Sequence, residues 1–497
     1  MEWTRSKRYL PYNKWDAEYL LKLQAQTAAS AYRPSYHIAP TSGLLNDPNG
    51  FSFFNGQWHL FYQSFPFGPV HGLKSWVHLV STDLVHWQNL GTALKPSTQF
   101  DSHGVYSGSA SVIGDKLFLM YTGNVRDSDW IRSPYQNGAW LNQNNQLTKL
   151  EKPLITQPPQ HTTDHFRDPQ LLQKDDKYYA LIGAQDAATQ SGQIAVFSST
   201  NLHDWKDLGY LNFAQKSLGY MIECPNLVFV AQQPVLIFCP QGLDPEIAAY
   251  QNIYPNMYLI GSNCNLEKGE FTPAAPLSQL DYGFDVYASQ AFTAPDGQSY
   301  LISWLGLPEI EYPTDSENWA HCLTQVKQLS LENGQLYQQP VPAIRALRQQ
   351  PQPLTGRTAA SETILTSAPG KHYELELTFS ADQTGTLYLF RDIQKKHGLK
   401  IDFSSGENAS LTVDRSQAGL AFAQKYGTTR RVPLEAHQKL VLDVFVDYSV
   451  CEIFINNGQR VLSMRVFPTK DETAITLAGQ AQITYNGSWW NLTKTNS

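Results

Sequence analysis

Apolar positions in the first two thirds of the chain fall into short, aromatic-rich runs, each entered through a turn. GQWHLFYQ from Gly56, DKLFLMYTG from Asp115, DKYYALIGA from Asp176, QQPVLIFCP from Gln232 and GQSYLISWLG from Gly297 share this form. A short apolar run after a tight turn predicts a buried strand. The runs start at intervals of roughly 60 residues, and a second echo keeps the register: STDLVHW at Ser81–Trp87 returns as STNLHDW at Ser199–Trp205. Five evenly spaced units of short strands predict a five-bladed β-propeller over residues 36–339.

The pattern changes on either side. Residues 1–35 form an N-terminal extension with helix-like composition from Trp15 to Ala28, expected to pack on the outside. Residues 340–354, PVPAIRALRQQPQPL, are a proline-punctuated linker. From 355 to 497, runs such as HYELELTF, LKIDF and KLVLDVFVDYSVCEIFI alternate apolar and polar positions, which predicts an antiparallel β-sandwich. The fold class is therefore all-β, a propeller followed by a sandwich. At 497 residues the chain is in any case too long for one ordinary core.

Composition narrows the classes of function. Net charge is −7 with no basic run, which argues against nucleic acid as a partner. No apolar stretch has the length of a signal peptide or a membrane span, so a cytoplasmic protein without a membrane partner is expected. The five cysteines are odd in number and form no CxxC pair, and HExxH is missing, so neither a disulfide framework nor a metal or cofactor is expected.

The repeat also aligns the residues that look out of place. About ten residues before each repeated turn lies a polar motif: LNDPNG with Asp47, YSGS from Tyr106, FRDP with Arg167 and Asp168, ECP with Glu223, and GFDVY with Asp285 and Tyr287. Equivalent positions in blades lie at equivalent radii, so the five motifs are expected to meet in one funnel. Singly, each has a structural explanation as a turn, an ion pair or a surface carboxylate. Together they would crowd three carboxylates around one arginine, an arrangement that separates acid and base roles. Glycoside hydrolysis uses such a set, one carboxylate as nucleophile and another as proton donor.

With LNDPNG, YSGS, FRDP and ECP in this order, the chain resembles the invertase and fructanase family of glycoside hydrolases from about Tyr36 onward. FGPVHGLKSW, FDSHGVYSGS and YPTDSENWAHCLT look most like the bacterial members that act on sucrose 6-phosphate. The resemblance implies a retaining β-fructofuranosidase with Asp47 as nucleophile, Glu223 as acid and base, and Asp168 supporting the transition state. It further implies sugar contacts from Asn46, Gln63, Tyr106, Ser107, Arg167 and Trp304. Many invertases carry a tryptophan where FGPVHG here carries His71, which leaves room for an anionic group. Candidate phosphate-binding residues are His71 and Lys74 in one loop and Arg126 in the next, read as a cationic outer rim; Arg132 reads as a surface charge. The expected partner is a small sugar, and the sandwich is free to brace the propeller or to support a homodimer. Two alternatives stand beside this reading, a hydrolase of fructo-oligosaccharides and a non-catalytic sugar-binding propeller. The intact carboxylate trio argues against the second.

Overall fold

The computed structural model describes residues 2–358, 361–367 and 369–495. Five antiparallel sheets form the propeller and two six-stranded sheets form the sandwich. The innermost strands of blades I to V are Gly43–Phe54, Val105–Ile113, Thr162–Lys174, Met221–Val230 and Val286–Thr293. Each packs beside the next, and the fifth packs beside the first, so the ring is closed. The second strands are the aromatic-rich runs, almost wholly buried; in blade I, Leu60 to Phe65 are all buried. Blade I also takes a short parallel strand, Trp319–Ala320, onto Gly43 and Leu44, which ties the end of the ring to its start.

Sequence sets a common irregularity in the five inner strands. Each has one residue too many against its neighbour: between Asn46 and Pro48, Val105 and Gly108, Arg167 and Gln170, Glu223 and Asn226, and Tyr287 and Gln290. Such bulges break the in–out alternation and turn side chains toward the axis. In three of them a non-glycine residue takes positive φ, Asp168 at 65°, Cys224 at 49° and Ala288 at 44°. Each costs of order 1–3 kcal/mol, which the surrounding ring must hold.

Just past each bulge, one polar side chain reaches the neighbouring blade. Asn49 Oδ1 accepts from Gly108 N (2.8 Å) and Ser109 Oγ from Leu171 N (2.7 Å). Gln170 Oε1 accepts from Leu227 N (2.6 Å) and Asn226 Oδ1 from Ala291 N (3.2 Å). Gln290 Oε1 accepts from Phe51 N (2.7 Å) and closes the circle. Each inner strand lies at or near the edge of its sheet, and these five side chains satisfy backbone donors on that open edge, blade to blade.

The sandwich shows the alternation expected of it. In Leu399–Ser404, Leu399, Ile401 and Phe403 enter the core while Lys400 and Asp402 lie partly open. It meets the propeller through buried charges. His37 lies between Asp447 (2.9 Å) and Glu452 (3.1 Å). Asp447 also accepts the backbone N–H groups of Ser35, Tyr36 and His37. Lys327 faces Asp281 and Glu452. Asp285 corrects the expectation that the fifth motif enters the funnel whole. Its carboxylate is buried at this interface, accepting from Tyr312, Arg415 and Arg465 N. Tyr287, two residues on, does face the funnel; Asp285 lies just ahead of the strand, which begins at Val286, so the strand's alternation does not govern it.

The N-terminal extension begins as an arm with a short helix, Arg5–Arg8, followed by a helix, Ala17–Ala28, that Asp16 caps by accepting from Glu18 N (2.9 Å). Trp3, Tyr12 and Trp15 pack on Phe65 and Phe67 of blade I. Tyr12 donates to the carbonyl of Leu73 (3.0 Å), and Leu73 N donates to Arg8 O (2.8 Å). The arm thus fixes the loop that carries His71 and Lys74. No helix among the described residues is long and apolar enough to cross a membrane.

Candidate active site

The bulges of blades I, III and IV bring Asp47, Asp168 and Glu223 to one end of the propeller axis. Asp47 is held by a circuit of side chains. Asn46 Nδ2 donates to Asp47 Oδ1 (2.9 Å) and to Gln63 Oε1 (3.0 Å). Gln63 donates in turn to Ser107 Oγ, and Ser107 Oγ donates to Asp47 Oδ2 (2.5 Å). Each carboxylate oxygen therefore has a close amide or hydroxyl donor, which opposes rotation about χ2. Gly108 of the YSGS motif has no room for a side chain, since a Cβ there would lie 2.0 Å from Met120 O. Burial raises the Asp47 carboxyl above the usual range, Glu223 adds to this, and the bonds from Ser107 and Asn46 and the charge of Lys74 oppose it.

Glu223 is held from two sides. Arg167 donates to its Oε1 from Nε (2.9 Å) and from a terminal nitrogen (2.6 Å), and the Tyr287 hydroxyl donates to Oε2 (2.5 Å). Asp168 accepts from Cys224 N (3.2 Å), and its own N–H donates to Thr122 Oγ1 (3.1 Å). Burial lifts the Asp168 carboxyl to about 7, with Arg167 opposing and Glu223 and Asp47 adding to the rise. The Cys224 thiol, pushed far up by burial and so neutral, lies 3.7 Å from Asp168 Oδ2 and 4.0 Å from Asp47 Oδ2. One sulfur thus bridges the two aspartates, and Glu223, the residue before Cys224, shares Arg167 with Asp168. Such a constellation can attack, protonate and stabilise developing positive charge.

The structure places the remaining sugar-contact candidates around this centre, with two surprises. Asn46, Gln63, Ser107 and Trp304 are buried in the funnel wall and Tyr106 is half-buried. Lys74 does not stand on an outer rim. It is 4% exposed and donates to Asn46 Oδ1, beside the nucleophile candidate, and burial brings it down to about 7 against the pull of Asp47. His71 is not a rim cation either. Burial, with Lys74 and His321 near it, holds it far below the usual imidazole range, and its ring lies edge-on to Trp304 at 5.9 Å. A loop position reads as exposed in sequence, and the N-terminal arm is what buries this one. Arg126 is half-buried at the end of a blade II hairpin. Two further residues contribute for which the sequence carries no signal of a site role. Tyr287 stands in the GFDVY motif beside Asp285, and His321, which borders Trp304 at 5.3 Å, lies in a stretch with no repeat to align it.

Known proteins resemble this chain in sequence and fold. The family model of the glycosyl hydrolases family 32 N-terminal domain matches residues 37–340, and that of the family's C-terminal domain matches residues 343–491. A sucrose-6-phosphate hydrolase of Pediococcus pentosaceus is 49% identical over 98% of this chain and 96% of its own length. The structure of a sucrose-6-phosphate hydrolase from Lactobacillus gasseri superposes with a TM-score of 0.96 at 52% identity, covering 99% of this chain and all of that one. A variant of a Bombyx mori β-fructofuranosidase of the same family, in complex with sucrose, superposes with a TM-score of 0.79 at 29% identity, over 96% of this chain and 97% of that one.

Proposed function

From the premise that this chain belongs to glycosyl hydrolase family 32, we propose that it is a retaining β-fructofuranosidase that cleaves sucrose 6-phosphate, and sucrose as well. Asp47 attacks the anomeric carbon of the fructosyl unit, and Glu223 protonates the departing oxygen. Water, activated by Glu223, then releases fructose from the fructosyl–Asp47 ester. Asp168 holds fructose hydroxyls and stabilises the positive charge of the oxocarbenium-like transition state. The observation that carries this reading is the Cys224 sulfur within 4.0 Å of carboxylate oxygens of both aspartates, on the same bulge as Glu223. The high similarity to two sucrose-6-phosphate hydrolases supports the phosphorylated substrate. A sugar phosphate does not cross membranes unaided, so the place of action we assign is the cytoplasm. The test is the anomeric form of the fructose first released, followed by NMR on fresh product. Fructose appearing first as the β-anomer supports the double displacement, and the α-anomer would overturn it.

A further inference from the structure

Blade II ends toward the funnel mouth in a hairpin between Lys116–Arg126 and Arg132–Leu141, in which Arg126 and Arg132 are directly opposed. Like charges facing each other across a ladder repel. Both side chains are half-buried, and the Nε of each is buried without a hydrogen-bond partner. Arg126 has a single side-chain bond, from a terminal nitrogen to Trp130 O (2.9 Å). Among the described residues no carboxylate pairs with either guanidinium. The one carboxylate acting on Arg132, Asp164, is exposed and lies beyond ion-pair distance. Two opposed, partly desolvated and unpaired arginines are a costly arrangement for a protein to keep with no anion to bind.

Their place relative to the chemistry is defined. Arg132 lies near Arg167 and Tyr106. Arg167 holds Glu223, where the departing oxygen would be protonated, and Tyr106 precedes Ser107, which holds Asp47. The arginine pair therefore borders the leaving-group side of the carboxylates. The N-terminal arm locks it there. Arg5 lies over the Trp130 ring at 4.5 Å and Tyr9 meets the same ring edge-on at 4.9 Å, while the Trp130 carbonyl holds Arg126.

We infer that Arg126 and Arg132, fixed by the N-terminal arm through Trp130, form the site that recognises a phosphate monoester on the leaving group. Two guanidinium forks offer a dianion several charge-assisted hydrogen bonds, which point-charge lysines do not match. This deepens the β-fructofuranosidase reading and rests on it.

The readout is the ratio of kcat/KM for sucrose 6-phosphate to that for sucrose, in the full-length enzyme. Arg126→Gln and Arg132→Gln should each lower that ratio by roughly 10- to 150-fold, the loss of one or two charge-assisted contacts. Arg132→Lys should recover part of it, because charge returns without the fork. A ratio at the wild-type value in both glutamine variants, with melting temperatures also at wild type, would overturn the site. An equal fall on both sugars would overturn it too, by making the hairpin a support for the fructose pocket. Glucose 6-phosphate and inorganic phosphate, each titrated into the wild type and into Arg132→Gln by calorimetry, separate this idea from the proposed function. If the wild type cleaves neither sugar, the proposed function falls; the arginine site then stands on weaker binding of glucose 6-phosphate in the variant and falls with equal binding. Glucose 6-phosphate binding the wild type no better than inorganic phosphate would count against a leaving-group site.

Discussion

The backbone N–H of Cys224 donates to Oδ2 of Asp168, so the strand that presents Glu223 also positions Asp168 on the neighbouring blade. Asp168 is held where its charge is disfavoured. Burial lifts its carboxyl to about 7, so between roughly pH 4 and 7 the folded protein binds a proton that the unfolded chain has released. The stability tied to this proton is full below about pH 4 and is lost as pH rises to 7. Asp168→Asn should therefore raise the melting temperature at pH 8 by a few degrees, with the gain shrinking toward pH 4. The same variant should lower kcat strongly, because its contacts tighten in the transition state. A lower melting temperature at pH 8 would mean that the ion pair with Arg167 outweighs the cost of burial.

Asp47→Asn keeps the size of the side chain and the bond from Ser107 but removes the nucleophile. Activity on sucrose should drop by more than about a thousandfold with the melting temperature nearly unchanged. Retention of more than a few per cent of activity in a preparation free of wild-type enzyme would rule out a fructosyl–Asp47 ester.

Lys74 supports Asn46, and through it Asp47 and Gln63. We expect Lys74→Ala to lower kcat/KM on sucrose and on sucrose 6-phosphate by similar factors, on the order of 10-fold or more from a lost charge-assisted bond. A loss confined to the phosphorylated sugar would return Lys74 to the role of phosphate ligand.

His37 sits between Asp447 and Glu452 where the sandwich meets the propeller. Burial alone would lower its proton affinity, but the two carboxylates outweigh it and raise the ring to about 9. Its stabilising effect is full below about 6.5 and is lost as pH rises toward 9. Glu452, which burial alone would raise, is brought down to about 2 by Lys327 and His37, so its contribution is lost only as pH falls toward that value. His37→Gln should cost about 3–5 kcal/mol near pH 6, and the gap to wild type should narrow as pH approaches 9, read from denaturant unfolding at each pH. A gap independent of pH would make His37 a neutral hydrogen-bonding residue.

Much of this molecule was legible in the chain because repetition is legible. Five similar runs gave the number of blades, and the motifs ahead of them gave the carboxylates. What repetition could not convey was direction. Asp285 and Tyr287 stand two residues apart, yet one braces the sandwich and the other holds Glu223. Asp285 stands just ahead of the strand that begins at Val286 and Tyr287 stands within it, and a single sequence marks such a boundary poorly. The burial of Lys74 was equally hidden, because it depends on an arm some sixty residues away in sequence packing over its loop. The ring of Asn49, Ser109, Gln170, Asn226 and Gln290 uses ordinary polar residues, whose pattern emerges only once the strands are aligned in space.

The interface of the two domains bears on how the chain matures at the ribosome. Asp447 grips the backbone from Ser35 to His37, where the propeller begins, while Arg415 and Arg465 grip Asp285, at the entry to blade V. First and last blades are thus fastened by residues that emerge late from the exit tunnel. Through most of synthesis the nascent propeller has its seam unclasped, with Asp285 lacking its arginine and His37 its carboxylates. The sandwich then finishes the enzyme, much as a buckle finishes a belt, and a chain truncated before Asp447 should be a substrate for chaperones and proteases.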